Sequence, residues 1–473
     1  MNKHTILFMS RERCDDFFIP MVKELKKNFN IVVTVTKNNK ELYSGIEGIT
    51  IEEFHDHETM ITLSKHITSQ QLEKVKLIEN DLDLNCYNFD INYLLYEKFV
   101  NRYHGKTILG SLNKVIPQRL LLDYIFLNSI IKKHNVEYAF FETLDLTGTM
   151  ILDAMARKKI IKQAFAQQCH PFGGELRIRI TSGSKRESRM IDYIYNSGNI
   201  NIESIRWAEK AINRYEKEKP TTKYDSQQAA LGRIIPRYSL AQIIDKAKRM
   251  LEGDSLAPAL IKLKNRILSA KYLTTEVPEG NIISYFLQLT PEATTCAQTP
   301  EFANQEHMLE QIAIHGKYGY TVVIKEHPAC YGNRDPKFYK ELTALPNVVI
   351  LSPSVPTRDI ILRSKAVVVT TATSVAIECL ATRIPVICLG KPFINICKNT
   401  VTVDKPHEVW DIIDSVKANK DEAIKFLAAM YQGTYGNPQY SHVITHDEII
   451  ERGKLTGKAL KDEIEFYENI LLN

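Results

Sequence analysis

Residues 366–390 read AVVVTTATSVAIECLATRIPVICLG, and their order decides the fold. Ala366–Thr370 is an apolar, β-branched run that favours a buried strand. A loop of hydroxyl residues follows (Thr370, Thr371, Thr373, Ser374), and Ser374–Thr382 has the spacing of a helix. Pro385–Leu389 is a second buried strand. Strand, helix and strand at this spacing make a crossover unit, and crossover units build parallel sheets.

The alternation continues outward from this unit. Ile282–Gln288, Tyr320–Lys325 and Val348–Leu351 read as strands, separated by the helical segments QEHMLEQIAIHG and PTRDIILRSK. Residues 276–400 therefore form a doubly wound, Rossmann-like domain. Near the N-terminus, Thr5–Met9, Ile31–Thr36, Tyr138–Phe141 and Gln163–Ala166 read as strands, with a helix over Thr147–Lys159. Residues 1–180 form a second such domain, mostly helical between about 55 and 135. A basic helical segment fills 181–275 and a helical tail 401–473. The fold class is α/β, with two Rossmann-like domains facing a cleft. Ligands of such sheets meet the carboxyl ends of the strands at the switch point.

Composition narrows the function. The 473 residues are 44% hydrophobic and 25% charged, an ordinary globular balance. A net charge of +5 is too weak a field for a nucleic-acid binder, and it suits anionic ligands or an anionic membrane surface. Eight cysteines without a paired CxxC give no zinc signature and fit reduced thiols in a cytosol. The N-terminus reaches charged residues after a handful of apolar ones and is not expected to act as a signal peptide, and no stretch is long and apolar enough to span a bilayer. The expectation is a cytoplasmic protein, at most peripheral at the inner face of the membrane. Its basic middle is either solvated helices or a surface for anionic lipid or polyanionic glycan.

Three stretches carry chemistry. In VVIKEHPACYG, Lys325, Glu326 and His327 stand where a strand ends, and Pro328 stops the pairing. A strand-end His can donate to a phosphate oxygen, with a neighbouring cation deepening the potential. The start of the helix at Thr373 and Ser374 is a second anion site, with Glu378 one turn further on to accept from a ribose hydroxyl. Neither a GxGxxG nor a Walker loop is present. In the third stretch, Pro291 stiffens a loop carrying Glu292, with Gln305 downstream.

Taken together, PEATTCAQTPEFANQ (291–305), VIKEHP (323–328) and VVTTATSVAIECLATRIPVICLG (368–390) resemble the bacterial capsule polysaccharide biosynthesis family, which includes the β-Kdo glycosyltransferases. The His-Pro pair before a Ser/Thr loop is more remotely similar to bacterial sialyl- and polysialyltransferases. The resemblance covers roughly 280–395, is only architectural over 1–170 and is absent from the basic middle. It implies a GT-B glycosyltransferase whose C-terminal domain binds a CMP-sugar without a cofactor or metal. His327, Thr373 and Ser374 would hold the phosphate, and Lys325 and Glu326 would lie against the nucleotide. Thr373-Ser374 replaces the adjacent serines of the sialyltransferases, which leaves open the sugar carried. Glu292, in the loop resembling the β-Kdo transferases' catalytic loop, is the preferred catalytic carboxylate. Glu142 and Asp145 in FFETLDL are the alternative. Arg11, Arg13 and His170 are expected on the acceptor side, the two arginines holding an anionic sugar or lipid phosphate.

The expected reaction moves a 2-keto-3-deoxy sugar, Kdo, from CMP to a growing polysaccharide or lipid-linked glycan. A sialyl-type transferase and a CDP-polyol phosphotransferase, with His170 as base, stand as alternatives. A non-catalytic glycan- or nucleotide-binding subunit is a further one.

Overall fold

The computed structural model describes residues 3–11, 14–54, 62–63, 66–86, 109–172, 175–183, 188–217, 256–289, 293–296, 298–370, 373–390, 392–437 and 446–471. They form two compact units. The first takes the described residues before 95, those from 108 to 207 and those from 427 onward, and the second takes 208–426.

The first unit is built on a seven-stranded sheet. Its strands are β1 (Thr5–Met9), β2 (Asn30–Val35), β3 (Ile49–Glu53), β4 (Tyr138–Phe141), β5 (Gln163–Phe172) and β6 (Glu175–Ser182). A second unit then intervenes, with β7 (Asn281–Phe286), β8 (Tyr320–Lys325), β9 (Val348–Leu351), β10 (Ser364–Val369), β11 (Val386–Leu389) and β12 (Thr400–Val403). The chain returns to the first sheet with β13 (Tyr435–Asn437). The order of the first sheet is β13-β6-β5-β4-β1-β2-β3, parallel from β3 to β5 and antiparallel at β6 and β13.

The second sheet runs β12-β11-β10-β7-β8-β9, parallel at every pairing. Counted from its own first strand this is the dinucleotide-fold order 3-2-1-4-5-6, so the switch point lies between β7 and β10. The central strands are buried on both faces, as the runs of Val and Ile demand. One core cluster fills the second unit, gathering Ile283, Tyr285, Ile324, Ile350, Val368 and Trp410. Both units are doubly wound α/β sheets, as expected from the sequence.

Several elements differ from the sequence reading. β3 is a half-exposed edge strand, ITIEE, whose charges hide its pairing with β2. β6 occupies 175–182, across the boundary between the N-terminal domain and the basic segment, where no strand was expected, and its Arg177 and Arg179 are buried. The Arg177 guanidinium donates to the Tyr431 and Thr434 carbonyls and lies 4.1 Å from the Tyr431 ring. The tail, read as helical, includes the strand β13.

The C-terminal helix His446–Phe466 packs on the helix Asp15–Leu25 of the same unit. Gly453 makes the approach possible: a Cβ there would stand 2.5 Å from the Phe17 carbonyl oxygen. Ala459, Leu460 and Ile464 of the same helix join Phe8, Phe18 and Phe140 in the core.

Candidate active site

The carboxyl ends of β8, β7 and β10 lie side by side at the switch point of the second unit. Gln288, two residues past β7, bridges two of them: its Nε2 donates to Thr370 Oγ1 at 2.5 Å, just past β10. Gln305 is buried beneath this loop. It accepts from the Gln288 amide at 2.8 Å and donates to the Gln288 carbonyl at 3.3 Å. These bonds brace the loop.

Lys325, Glu326 and His327 each do something different. Lys325, 4% exposed, donates from Nζ to Thr357 Oγ1 at 2.8 Å. Glu326 is fully buried. Its carboxylate accepts from Arg334 Nε at 3.1 and 3.3 Å, from the Tyr339 hydroxyl and from the His327 amide. Those bonds hold the end of the strand. Arg334, itself buried, also donates from Nη2 to the Gln288 carbonyl at 2.8 Å. Hydrogen bonds thus run unbroken from the His327 amide through Glu326, Arg334 and Gln288 to Thr370.

His327 is half-buried. Its pKa is pushed down to about 4, by burial first and then by the charges of Arg334 and Lys325. The ring is therefore neutral near pH 7. Its Nδ1 accepts from the Ala329 amide at 3.2 Å, which places the proton on Nε2. Nε2 has no partner among the described residues and is a free neutral donor.

The closing helix of the basic segment, Leu256–Ser269, supports this loop. Arg266 Nε donates to the Tyr331 carbonyl at 3.0 Å and Asn265 to the Gly332 carbonyl at 3.1 Å. Gly332 has φ +89°, and a Cβ there would meet the Lys262 carbonyl at 2.6 Å.

The helix Thr373–Thr382 follows β10. Ser374 is exposed in its first turn and Glu378 half-buried one turn on. Pro328, buried, opens the turn in which the Cys330 and Tyr331 amides donate to the His327 carbonyl. Glu292 and Arg13 lie outside the described residues, as do the side chains of Thr373 and His170. Backbone pairing puts His170 on β5, opposite Arg177.

At the switch point of the first sheet, between β1 and β4, three expected residues come together. Arg11 Nη1 donates to Glu142 Oε2 at 2.9 Å and Asp145 Oδ2 at 2.8 Å. Thr149 Oγ1 accepts from the Asp145 and Leu146 amides and fixes the loop. The Arg11 guanidinium is thus held by two carboxylates of its own unit. Among the described residues no group of three His, Cys, Asp or Glu is placed to hold a metal ion.

Arg334, Thr357 and Gln305's bracing role were not legible in the sequence. Arg334 stands alone in GNRDP, and only the folded loop brings it to Glu326. No described helix is long and apolar enough to cross a membrane.

Among solved structures the chain is similar to the β-Kdo 2,7 transferase of KpsC from Thermosulfurimonas dismutans, at 13% identity over 69% of this chain and 88% of that one, TM-score 0.37. The β-Kdo 2,4 transferase of the same protein matches at 12% over 63% and 80%, TM-score 0.36. The UDP-GlcNAc 2-epimerase of Methanocaldococcus jannaschii matches at 8% over 91% and 99%, TM-score 0.26. No curated protein matches the chain. Residues 183–432, more than half of the sequence, match the family described as capsule polysaccharide biosynthesis protein, and the chain belongs to that family.

Proposed function

We propose that the chain is a glycosyltransferase that moves Kdo from CMP-Kdo to a growing capsule polysaccharide or its lipid-linked precursor. It would work on the cytoplasmic side, at most peripherally bound to the membrane. The observation that carries this reading is His327: a neutral imidazole with a free Nε2–H, at the carboxyl end of β8, beside the switch point. The family match supports the polysaccharide, and the motif resemblance supports the Kdo donor.

In this reaction the bond between the anomeric carbon and the phosphate oxygen breaks, and CMP leaves with the electron pair. Negative charge grows on the phosphate, where fixed donors count most. His327 Nε2–H, Ser374 and the amides at the start of its helix are the donors in this reading. His327 gives a hydrogen bond and no proton: its lowered pKa leaves no imidazolium to act as an acid, and a neutral imidazole N–H is too weak an acid to be given up. An acceptor hydroxyl oxygen forms the new bond to the sugar carbon, and a carboxylate takes its proton or first bonds to that carbon. Glu292 is our choice for that carboxylate, and Glu142 with Asp145 is the other pair.

The test is turnover with CMP-Kdo beside CMP-sialate, UDP-glucose and CDP-glycerol, followed as nucleotide release. CMP-Kdo should be consumed, and Glu292→Gln should lower kcat by about 100-fold or more while CMP still binds. Release from UDP-glucose alone would overturn the donor. Full activity in Glu292→Gln would pass the role to Glu142 or Asp145.

A further inference from the structure

Glu326 and Arg334 are both buried, and neither is available to a ligand. A buried ion pair adds little net stability over an apolar pair, so its use has to be sought in what it holds. Arg334 reaches three things at once. Its Nε binds both oxygens of Glu326, its Nη2 binds the Gln288 carbonyl, and its guanidinium carbon lies 5.2 Å from the Phe338 ring. The planar guanidinium, with donors fixed in one fork, can span the ends of β8 and β7 in this way, and the point charge of a lysine cannot. On the far side of the pair, Glu326 accepts from the His327 amide and the Tyr339 hydroxyl. The backbone that carries His327 is thereby pinned at its amide nitrogen, three bonds from the ring.

We infer that Arg334 is a positioning residue: by tying Glu326 to the Gln288 carbonyl it fixes the His327 backbone so that Nδ1 meets the Ala329 amide and Nε2–H points to the donor phosphate. The part that concerns the phosphate rests on the function proposed above. The part that concerns the ring is independent of any ligand.

The charges facing the ring come from three elements. Lys325 precedes it on β8, Arg334 and Glu326 form the pair beneath it, and Lys262 on Leu256–Ser269 donates to the Ala329 carbonyl at 3.4 Å. Burial first, and then the charges of Arg334 and Lys325, disfavour a positive charge on the imidazole, so the guanidinium that sets the ring's position also helps to keep it neutral.

The experiment is ring-nitrogen NMR of the full chain labelled at histidine, with His327 assigned from His327→Gln. CMP affinity is measured in parallel by calorimetry. In the unaltered protein His327 should be neutral and protonated on Nε2 at pH 5.5. In Arg334→Met the tautomers should mix, the ring should titrate closer to the ordinary value of about 6.5, and CMP should bind about tenfold more weakly, equivalent to 1.4 kcal/mol. Arg334→Lys, which keeps the charge, serves if the methionine variant does not fold. It should hold the ring neutral yet lose part of the Nε2–H preference. Unchanged His327 signals in either folded variant would overturn the inference. If CMP fails to bind the unaltered protein while the ring responds to Arg334, the proposed function falls and the positioning role stands.

Discussion

The run Lys325-Glu326-His327 puts three ionisable residues at the end of a buried strand, each with a separate task. Lys325 turns to Thr357, Glu326 turns inward to Arg334, and His327 presents Nε2. The sequence showed that ionisable groups cluster at this strand end. It did not show which of them faces out, because that depends on an arginine seven residues further along a folded loop. One consequence is measurable. The pKa of His327 is lowered on folding, so between the ordinary value of about 6.5 and about 4 the unfolded chain binds a proton that the native state does not. Stability from this residue is present above pH 6.5 and is lost as pH falls towards 4. His327→Asn, which keeps a donor and cannot charge, should lose less melting temperature than the unaltered protein between pH 7 and 4.5. Parallel acid profiles in thermal melts would refute that assignment.

At the scale of elements, central strands were legible and edges were not. β7, β8, β10 and β11 are buried runs of β-branched residues and stand out from any surroundings. β3 and β12 are edge strands whose exposed charged or hydroxyl residues mask their pairing. β6 was not expected as a strand, and its Arg177 and Arg179 are buried against Tyr431 and Gln168. The helix His446–Phe466 was recognisable, but its docking on Asp15–Leu25 was not, since Gly453 looks like a helix defect in sequence alone. Its contact with the Phe17 carbonyl makes it a packing requirement. Gly453→Ala places a Cβ at 2.5 Å from that oxygen and should destabilise the first unit by about 1–3 kcal/mol, despite the better helix propensity of alanine. Calorimetry or denaturant unfolding would check it, and a stabilised variant would mean that the helix does not sit this tightly.

At the scale of the molecule, the chain divides into two units that each carry a doubly wound sheet and a polar cluster at its switch point. The cluster in the second unit is a neutral donor backed by cations. The cluster in the first unit is Arg11 held by Glu142 and Asp145. In our reading the second unit binds the CMP donor and the first the acceptor. CMP affinity should then depend on residues of the second unit alone. The most direct measurement is a thermal shift of the whole protein with CMP, CDP, UMP, UDP and GDP, alone and in His327→Ala. At 100 times its dissociation constant, CMP should stabilise by about 2.7 kcal/mol, more than the other nucleotides, and the gain should vanish in the variant. A response to UDP or GDP in preference to CMP, or the same CMP response without His327, would contradict the account.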